Sequence, residues 1–316
     1  MSQTPTTASA KAGEPHVAAR AAGLWLGVLV VALAVLWQGI GTAVVAHVVD
    51  PRWGTFATFS AFLSASIIAV LIYAVRSRRG QAQGRAVRIR PTEWVKLNLV
   101  TAGAFACFYV AATMIPATAA SVIETGLGPI AVTTVAYVQN RGRNSAKSLL
   151  YPAWVLLAAC AVAWFVFAAQ ESASAHQLAG ILLSVVAGSC AAGVLLISRQ
   201  LAQRGVSALS MSVARFHLAW IICGALSLPA LMLGPVDAGQ LIAIAGISTV
   251  AISAPILLLQ WGITLARPLH SAIIISALPV VVLAADVLLG AQLTASIGVA
   301  MSLLVAVLLF GLRRGA

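Results

Sequence analysis

The sequence predicts an all-α integral membrane protein with ten transmembrane helices, arranged as two inverted five-helix repeats with both termini in the cytoplasm. The chain has 316 residues, of which 61% are hydrophobic and 8% are charged, whereas soluble proteins carry about 25% charged residues. A membrane-spanning helix needs about 20 apolar residues, and spanning β-strands would be about 10 residues long and would alternate. The long continuous apolar runs therefore favour helices and exclude a soluble enzyme, a disordered chain and a collagen-like fibre.

Residues 1–21 are predicted to form a disordered tail. Ala, Ser and Thr dominate this stretch, which also contains Pro5 and Pro15. The apolar run that follows is longer than the core of a signal peptide, which has about 7–15 residues. We therefore interpret the run as a retained first transmembrane helix.

Polar segments divide the rest of the chain into ten apolar runs, grouped into repeats at residues 22–170 and 178–314. The spans predicted in the first repeat are Leu24–Val45, Thr55–Val75, Trp94–Ile115, Ala117–Val138 and Tyr151–Ala169. The spans predicted in the second repeat are Leu178–Ile197, Leu209–Leu231, Leu241–Leu265, Ser271–Leu289 and Ile297–Leu312.

Charged residues mark the segments between these spans and set the predicted topology. With ten spans and a cytoplasmic N-terminus, 18 of the 19 Lys and Arg residues fall on one side, and only Arg52 falls on the other. Lys and Arg are enriched in cytoplasmic segments, so the pattern predicts a multi-pass membrane protein with both termini inside. We expect it in the cell (inner or plasma) membrane of a bacterium. The net charge of +12 is interpreted as a topology signal rather than a nucleic-acid-binding surface.

Two spans share a pattern of paired prolines. The fourth span begins at Pro116 and reaches Pro129, and the ninth begins at Pro268 and reaches Pro279, with small and β-branched residues between them. The two spans lie five apart, and an offset by an odd number places the two halves in opposite orientations. Inverted repeats are typical of secondary transporters.

Glu124 is the strongest candidate for a functional residue. It lies in the fourth span, roughly 10 Å from the outer end at 1.5 Å per residue, and an acid near the bilayer centre costs about 2.5–3.5 kcal/mol. Ser121 and Gly128 share its face, Thr125 is adjacent, and Pro129 is expected to break the helix and expose backbone groups to a cavity. The pattern indicates a site for a proton or a substrate ammonium; the alternative is a structural acid bonded to a neighbouring helix.

Two pairs of residues place an amide beside an aromatic ring within a span. Trp37 and Gln38 lie in the first span, and Gln260 and Trp261 lie in the eighth. Such pairs suit a small-solute pocket or hydrogen bonding between helices. Pro279 is expected to break the ninth helix at a depth similar to that of Pro129.

Four further polar residues are weaker candidates. His217 and His270 are candidates for titrating groups, with packing inside the bundle as the alternative. Asp286 and Arg215 lie near the ends of their spans and are interpreted as residues of the membrane interface.

No sequence motif indicates catalysis or a bound cofactor. Motifs of P-loop ATPases, zinc proteases and serine hydrolases are missing from the sequence, and its His and Cys residues show no metal-ligand spacing. We predict no enzymatic activity, no cofactor, no metal and no nucleic-acid partner. The expected partners are the lipid bilayer, a small-molecule substrate and protons as the coupling ion.

The two halves resemble the EamA type of the drug/metabolite transporter superfamily. The stretch from Pro268 through Pro279 to Gly298 is similar to the end of that family's repeat. In the threonine/homoserine exporter branch, an Ile-Pro pair precedes a Glu by the interval that separates Ile115-Pro116 from Glu124, and a Gly-Pro pair follows.

The resemblance implies a ten-helix carrier that exports a small metabolite, such as an amino acid, in exchange for protons by alternating access. Ala291 and Leu278 stand where the family often has acids. An efflux carrier for drugs or biosynthetic products is therefore the first alternative. A non-transporting membrane protein and a channel are the others.

Overall fold

In a computed structural model, the structure describes residues 14–79, 89–139, 149–168, 175–233, 237–290 and 294–314, and the regular elements within these ranges are all helical. The elements of the N-terminal half are α1 (Glu14–Val48), a 3-10 turn (Pro51–Trp53), α2 (Gly54–Arg78), α3 (Pro91–Met114), α4 (Ala117–Gln139) and α5 (Leu150–Ala168). The elements of the C-terminal half are α6 (Ala175–Gln203), α7 (Ala208–Arg215), α8 (His217–Met232), α9 (Ala238–Ser248), a π-helical segment (Thr249–Ser253), α10 (Ala254–Leu265), α11 (Pro268–Ile275), α12 (Leu278–Leu288) and α13 (Ala295–Arg314).

Within the described residues, eight helical stretches are long and apolar enough to cross a membrane. The prediction of an all-α chain with many membrane-length helices is therefore confirmed. Two shorter apolar helices, Leu150–Phe165 and Ala295–Gly311, lie where the fifth and tenth spans are predicted. The count of ten spans and the inverted repeat stay predictions.

The first helix begins before the predicted end of the tail. α1 starts at Glu14, so only residues 1–13 of the predicted tail lie outside the described residues. Ala291, which stands where the family often has an acid, also lies outside the described residues.

Within the described residues, three of the predicted spans are interrupted. The seventh breaks at Phe216, between α7 and α8, and the eighth contains the π-helical segment ahead of Pro255. The ninth breaks at Ser276 and Ala277, just before Pro279 begins α12. Proline cannot donate a backbone hydrogen bond, which explains why two of these interruptions precede a proline.

Pro129 does not break α4, contrary to the sequence prediction. The helix continues from Ala117 to Gln139 with Pro129 inside it. The carbonyl that Pro129 leaves without its helical donor is that of Thr125. Ser276 Oγ donates to this oxygen at 2.8 Å, with the Ala272 carbonyl as a second acceptor at 2.8 Å.

Helices of the N-terminal half pack against helices of the C-terminal half. α3 packs along α6, and α1 packs along α10. α4 also packs on α6, and α1 also packs on α12. α2 packs on α8, and α5 packs on α13. The central space therefore lies between helices of both halves.

Candidate functional site

A cavity of about 180 Å³ lies between the two halves of the bundle. Both halves contribute to its wall, through α1, α3 and α4 on one side and α6, α7 and α10 to α12 on the other. Its charged lining residues are Glu124, Arg215 and Asp286. Its polar lining residues are Gln38, Thr42, Tyr109, Thr118, Ser121 and Thr125. The remaining lining is apolar or glycine.

Glu124 and its predicted neighbours lie together on this wall. Ser121, Thr125 and Gly128 of α4 line the cavity with Glu124, because positions three and four apart share one helix face. Glu124 is half-buried, and none of the ion pairs among the described residues includes it. The carboxylate is therefore available to a proton or to a cationic group in the cavity.

The backbone of Glu124 is held by a close approach of α6. A Cβ atom added at Gly188 would overlap the carbonyl oxygen of Glu124. Glycine removes this obstacle, and small residues commonly allow such contacts between membrane helices. The close contact fixes the depth and rotation of Glu124 relative to α6.

Arg215 lies on the same cavity wall and is buried, with 4% of its surface exposed. This position corrects its interpretation as a residue of the membrane interface. Its Nη1 donates to Oε1 of Gln260 on α10, and its guanidinium carbon lies 4.8 Å from the centroid of the Phe216 ring. Both contacts turn the side chain into the bundle instead of toward the membrane surface.

Asn98 of α3 forms hydrogen bonds with the backbone on both sides of the break beside Arg215. Its Nδ2 donates to the Ala214 carbonyl at 2.6 Å, and its Oδ1 accepts from the Leu218 amide at 3.2 Å. These are backbone groups on either side of the break between α7 and α8. Asn98 is not among the residues predicted from the sequence, although an amide inside a predicted apolar span is a signal that the sequence contains.

Asp286 is also a cavity residue and not only a residue of the interface. It lies on α12, half-buried, with its Oδ1 3.9 Å from Nδ1 of His47 on α1. This pair joins the two halves where α1 and α12 end.

The structure brings only some of the other predicted site residues to the cavity. Gln38 lines it. Gln260 is fully buried and lies behind Arg215. Pro129 and Pro279 are buried in helix contacts and are not lining residues.

Both tryptophans of the predicted pairs point away from the cavity. Trp37 and Trp261 are 40% and 45% exposed on the outside of the bundle. Adjacent residues on a helix point about 100° apart, so each pair divides between the inside and the surface.

The two histidine candidates lie outside the cavity lining. His217 is half-buried, with Nδ1 3.3 Å from the Ala214 carbonyl and its ring 5.9 Å from that of Trp94. His270 is half-buried in the first turn of α11. Among the described residues, no group of three or more His, Cys, Asp or Glu side chains is placed to hold a metal ion.

Comparisons with known proteins give information about the fold of this chain only. No protein-family model and no curated protein matches the chain. One solved structure, described only as the crystal structure of a protein, is similar over 89% of this chain and 94% of the other, with a TM-score of 0.60 and 19% sequence identity. At this identity the similarity shows that the two chains share a fold over most of their length, and nothing about function.

Proposed function

We propose that this protein is a secondary active transporter of the EamA drug/metabolite type, located in the bacterial cell membrane. It would export a small metabolite, an amino acid or a related compound, by alternating access, with protons as the coupling ion. The substrate would bind in the central cavity, and Glu124 would carry the proton or hold the ammonium group of the substrate.

The observation that carries this proposal is the position of Glu124. It is a carboxylate on the wall of a cavity between membrane-length helices, and no ion pair among the described residues neutralises it. Acids at such depth are costly, and they commonly belong to proton relays or substrate pathways. A purely structural acid would be expected to have a partner on a neighbouring helix.

Helix interruptions near the cavity also support transport. The breaks at Phe216 and at Ser276–Ala277 lie in helices whose residues line the cavity, and the π-helical segment leads into α10, which lines it as well. Transporter sites are typically built from discontinuous helices near the bilayer midplane. All three interruptions lie in the second half, so they offer places where the cavity-lining helices of that half can bend.

The packing pattern supports the proposed inverted repeat of two five-span halves. In the proposed repeat, α1 corresponds to α6, α3 to α10, and α4 to α11 and α12. When each helix is replaced by its counterpart, the contact of α3 with α6 becomes that of α10 with α1. The contact of α4 with α6 becomes that of α12 with α1. This agreement is expected when two similar halves are related by a two-fold axis.

The test compares Glu124→Gln with the wild type and with Glu93→Gln. Glu93 lies outside the cavity and pairs with Arg204, so it is a matched carboxylate control. We would profile metabolites in the medium around cells that carry equal amounts of each protein in the membrane. We expect one compound to accumulate with the wild type and Glu93→Gln but not with Glu124→Gln, because the neutral amide can neither release a proton nor pair with an ammonium group.

Unchanged, normally pH-dependent export by Glu124→Gln would contradict the role of Glu124.

Efflux of larger, less polar compounds is the second candidate function, since Phe105, Phe108, Leu259 and Ile263 give the cavity an apolar lining. That function predicts protection of cells against lipophilic cations, whereas amino-acid export predicts protection against toxic amino-acid analogues.

A further inference from the structure

Arg215 is a buried cation without a counter-charge among the described residues. Only 4% of its surface is exposed, and none of the described ion pairs includes it. Its Nε atom is buried without a hydrogen-bond partner in the part of the chain that the structure describes. Buried charges are normally paired, so this guanidinium lacks the anion that its environment requires.

The contacts that Arg215 does make orient it without neutralising it. Gln260 Oε1 accepts from Nη1, and the amide of Gln260 is in turn 3.7 Å from Met211 Sδ. The Phe216 ring lies beside the guanidinium. These partners are uncharged, and Asn98 fixes the backbone break next to them. The side chain is thus held in place ahead of any ligand, as expected for a binding residue.

We propose that Arg215 binds the carboxylate of the transported solute. A guanidinium presents a planar fork of donors that matches the two oxygens of a carboxylate, and Nε–H is a donor of that fork. Glu124 lines the same cavity and would face the ammonium group of the solute under the proposed function. Amino acids carry both a carboxylate and an ammonium group, so they are the substrate class that the assay tests.

This inference rests on the proposed transport function but is tested by binding. The assay follows the thermal unfolding of the purified chain in detergent, since a ligand that binds the folded state raises the unfolding midpoint. The probes are an equimolar pool of the 20 common L-amino acids, the same pool as methyl esters, sodium acetate and inorganic phosphate. The esters keep the ammonium group and lose the carboxylate charge.

The variants are Arg215→Gln and Arg215→Lys, with Arg199→Gln as the matched control. Arg199 is a half-buried arginine on α6 that donates to the Thr264 carbonyl and does not line the cavity. We expect the amino-acid pool to stabilise the wild type and Arg199→Gln, and the ester pool to leave both unchanged. Arg215→Gln should bind about 10- to 100-fold more weakly, the range for a lost charge-assisted hydrogen bond.

Arg215→Lys keeps the positive charge and removes the fork, so it should show an intermediate loss. It also keeps the test decisive if Arg215→Gln does not fold. Equal stabilisation of the wild type and both Arg215 variants, equal binding of acids and esters, or no stabilisation of the wild type would each overturn the proposal. Stabilisation by phosphate alone, lost in the Arg215 variants, would assign the site to phosphate and overturn the carboxylate.

The binding result and the export result are separable. If the wild type binds the acids through Arg215 but exports nothing, the transport function fails and the anion site stands. If Arg215→Gln exports the same compound as the wild type at the same rate, the anion site fails and transport stands.

Discussion

Asn98 satisfies the backbone groups on both sides of the break in the predicted seventh span. Its amide donates to the carbonyls of Ala214 and Trp94 and accepts from the amide of Leu218. In a bilayer, each unsatisfied backbone group costs several kcal/mol. A single side chain of α3 thus allows the chain to interrupt a helix beside Arg215 while remaining within the bundle.

Asn98→Ala should lower the free energy of unfolding by about 1–3 kcal/mol, because it leaves buried backbone groups without partners. It should also weaken binding of the amino-acid pool, since Arg215 loses its fixed position. The measurements are the thermal midpoint in detergent and the probe-induced shift. The control is Thr101→Val on the same helix, whose buried hydroxyl lacks a hydrogen-bond partner among the described residues and whose loss should be nearly neutral. Equal midpoints for the two variants would contradict this role of Asn98.

At the scale of helices, a hydrogen bond between the end of α11 and α4 replaces the backbone hydrogen bond that Pro129 removes from α4. Pro129 cannot donate to the Thr125 carbonyl, and the hydroxyl of Ser276 occupies that acceptor from the break between α11 and α12. The contact connects two predicted spans that share the paired-proline pattern. It also explains how α4 passes Pro129 as one helix and keeps Glu124 on the cavity wall.

Ser276→Ala should lower the free energy of unfolding by about 1–3 kcal/mol, because the Thr125 carbonyl becomes unsatisfied. Pro129→Ala restores a backbone N–H to that carbonyl, so the double variant should recover most of the loss. A double-mutant cycle of unfolding midpoints measures this coupling. Ser302→Ala is the control, since its exposed hydroxyl bonds only within α13. If the two substitutions lowered the free energy of unfolding additively, the hydrogen bond from Ser276 would not replace the one that Pro129 removes.

For the whole molecule, the number of crossings determines which side each segment reaches. With ten spans, Gln203 faces the cytoplasm and Ala238 faces the outside. If α5 and α13 did not cross the membrane, the two positions would exchange sides. Of these two helices, only α5 precedes Gln203 and Ala238 in the chain, so the number of crossings before each position would fall by one. Both residues are exposed in the structure and suit a labelling experiment.

In a background without native cysteines, we expect an impermeant thiol reagent to label Ala238→Cys but not Gln203→Cys in intact cells. Permeabilised cells should show labelling at both positions, which controls for accessibility. The reverse pattern in intact cells would contradict the predicted ten-span topology with a cytoplasmic N-terminus.

The sequence alone predicted the membrane-length helices and distinguished Glu124 from the other residues of the apolar runs. Long apolar runs predicted the membrane-length helices because a bilayer requires about 20 apolar residues in each span. Glu124 could be recognised because an ionisable residue in such a run is rare and costly. Its neighbours Ser121, Thr125 and Gly128 followed from helical spacing.

Only the tertiary structure decided which faces meet and which polar groups pair. Lipid tails and the protein interior are about equally apolar, so hydrophobicity does not tell the buried face of a membrane helix from the exposed one. That is why Trp37 and Trp261 could not be assigned to the surface, nor Arg215 to the interior. The bond from Ser276 to Thr125 and the bond from Arg215 to Gln260 join residues far apart in the chain. No local pattern encodes such pairs, because they form only when separate helices pack at one depth.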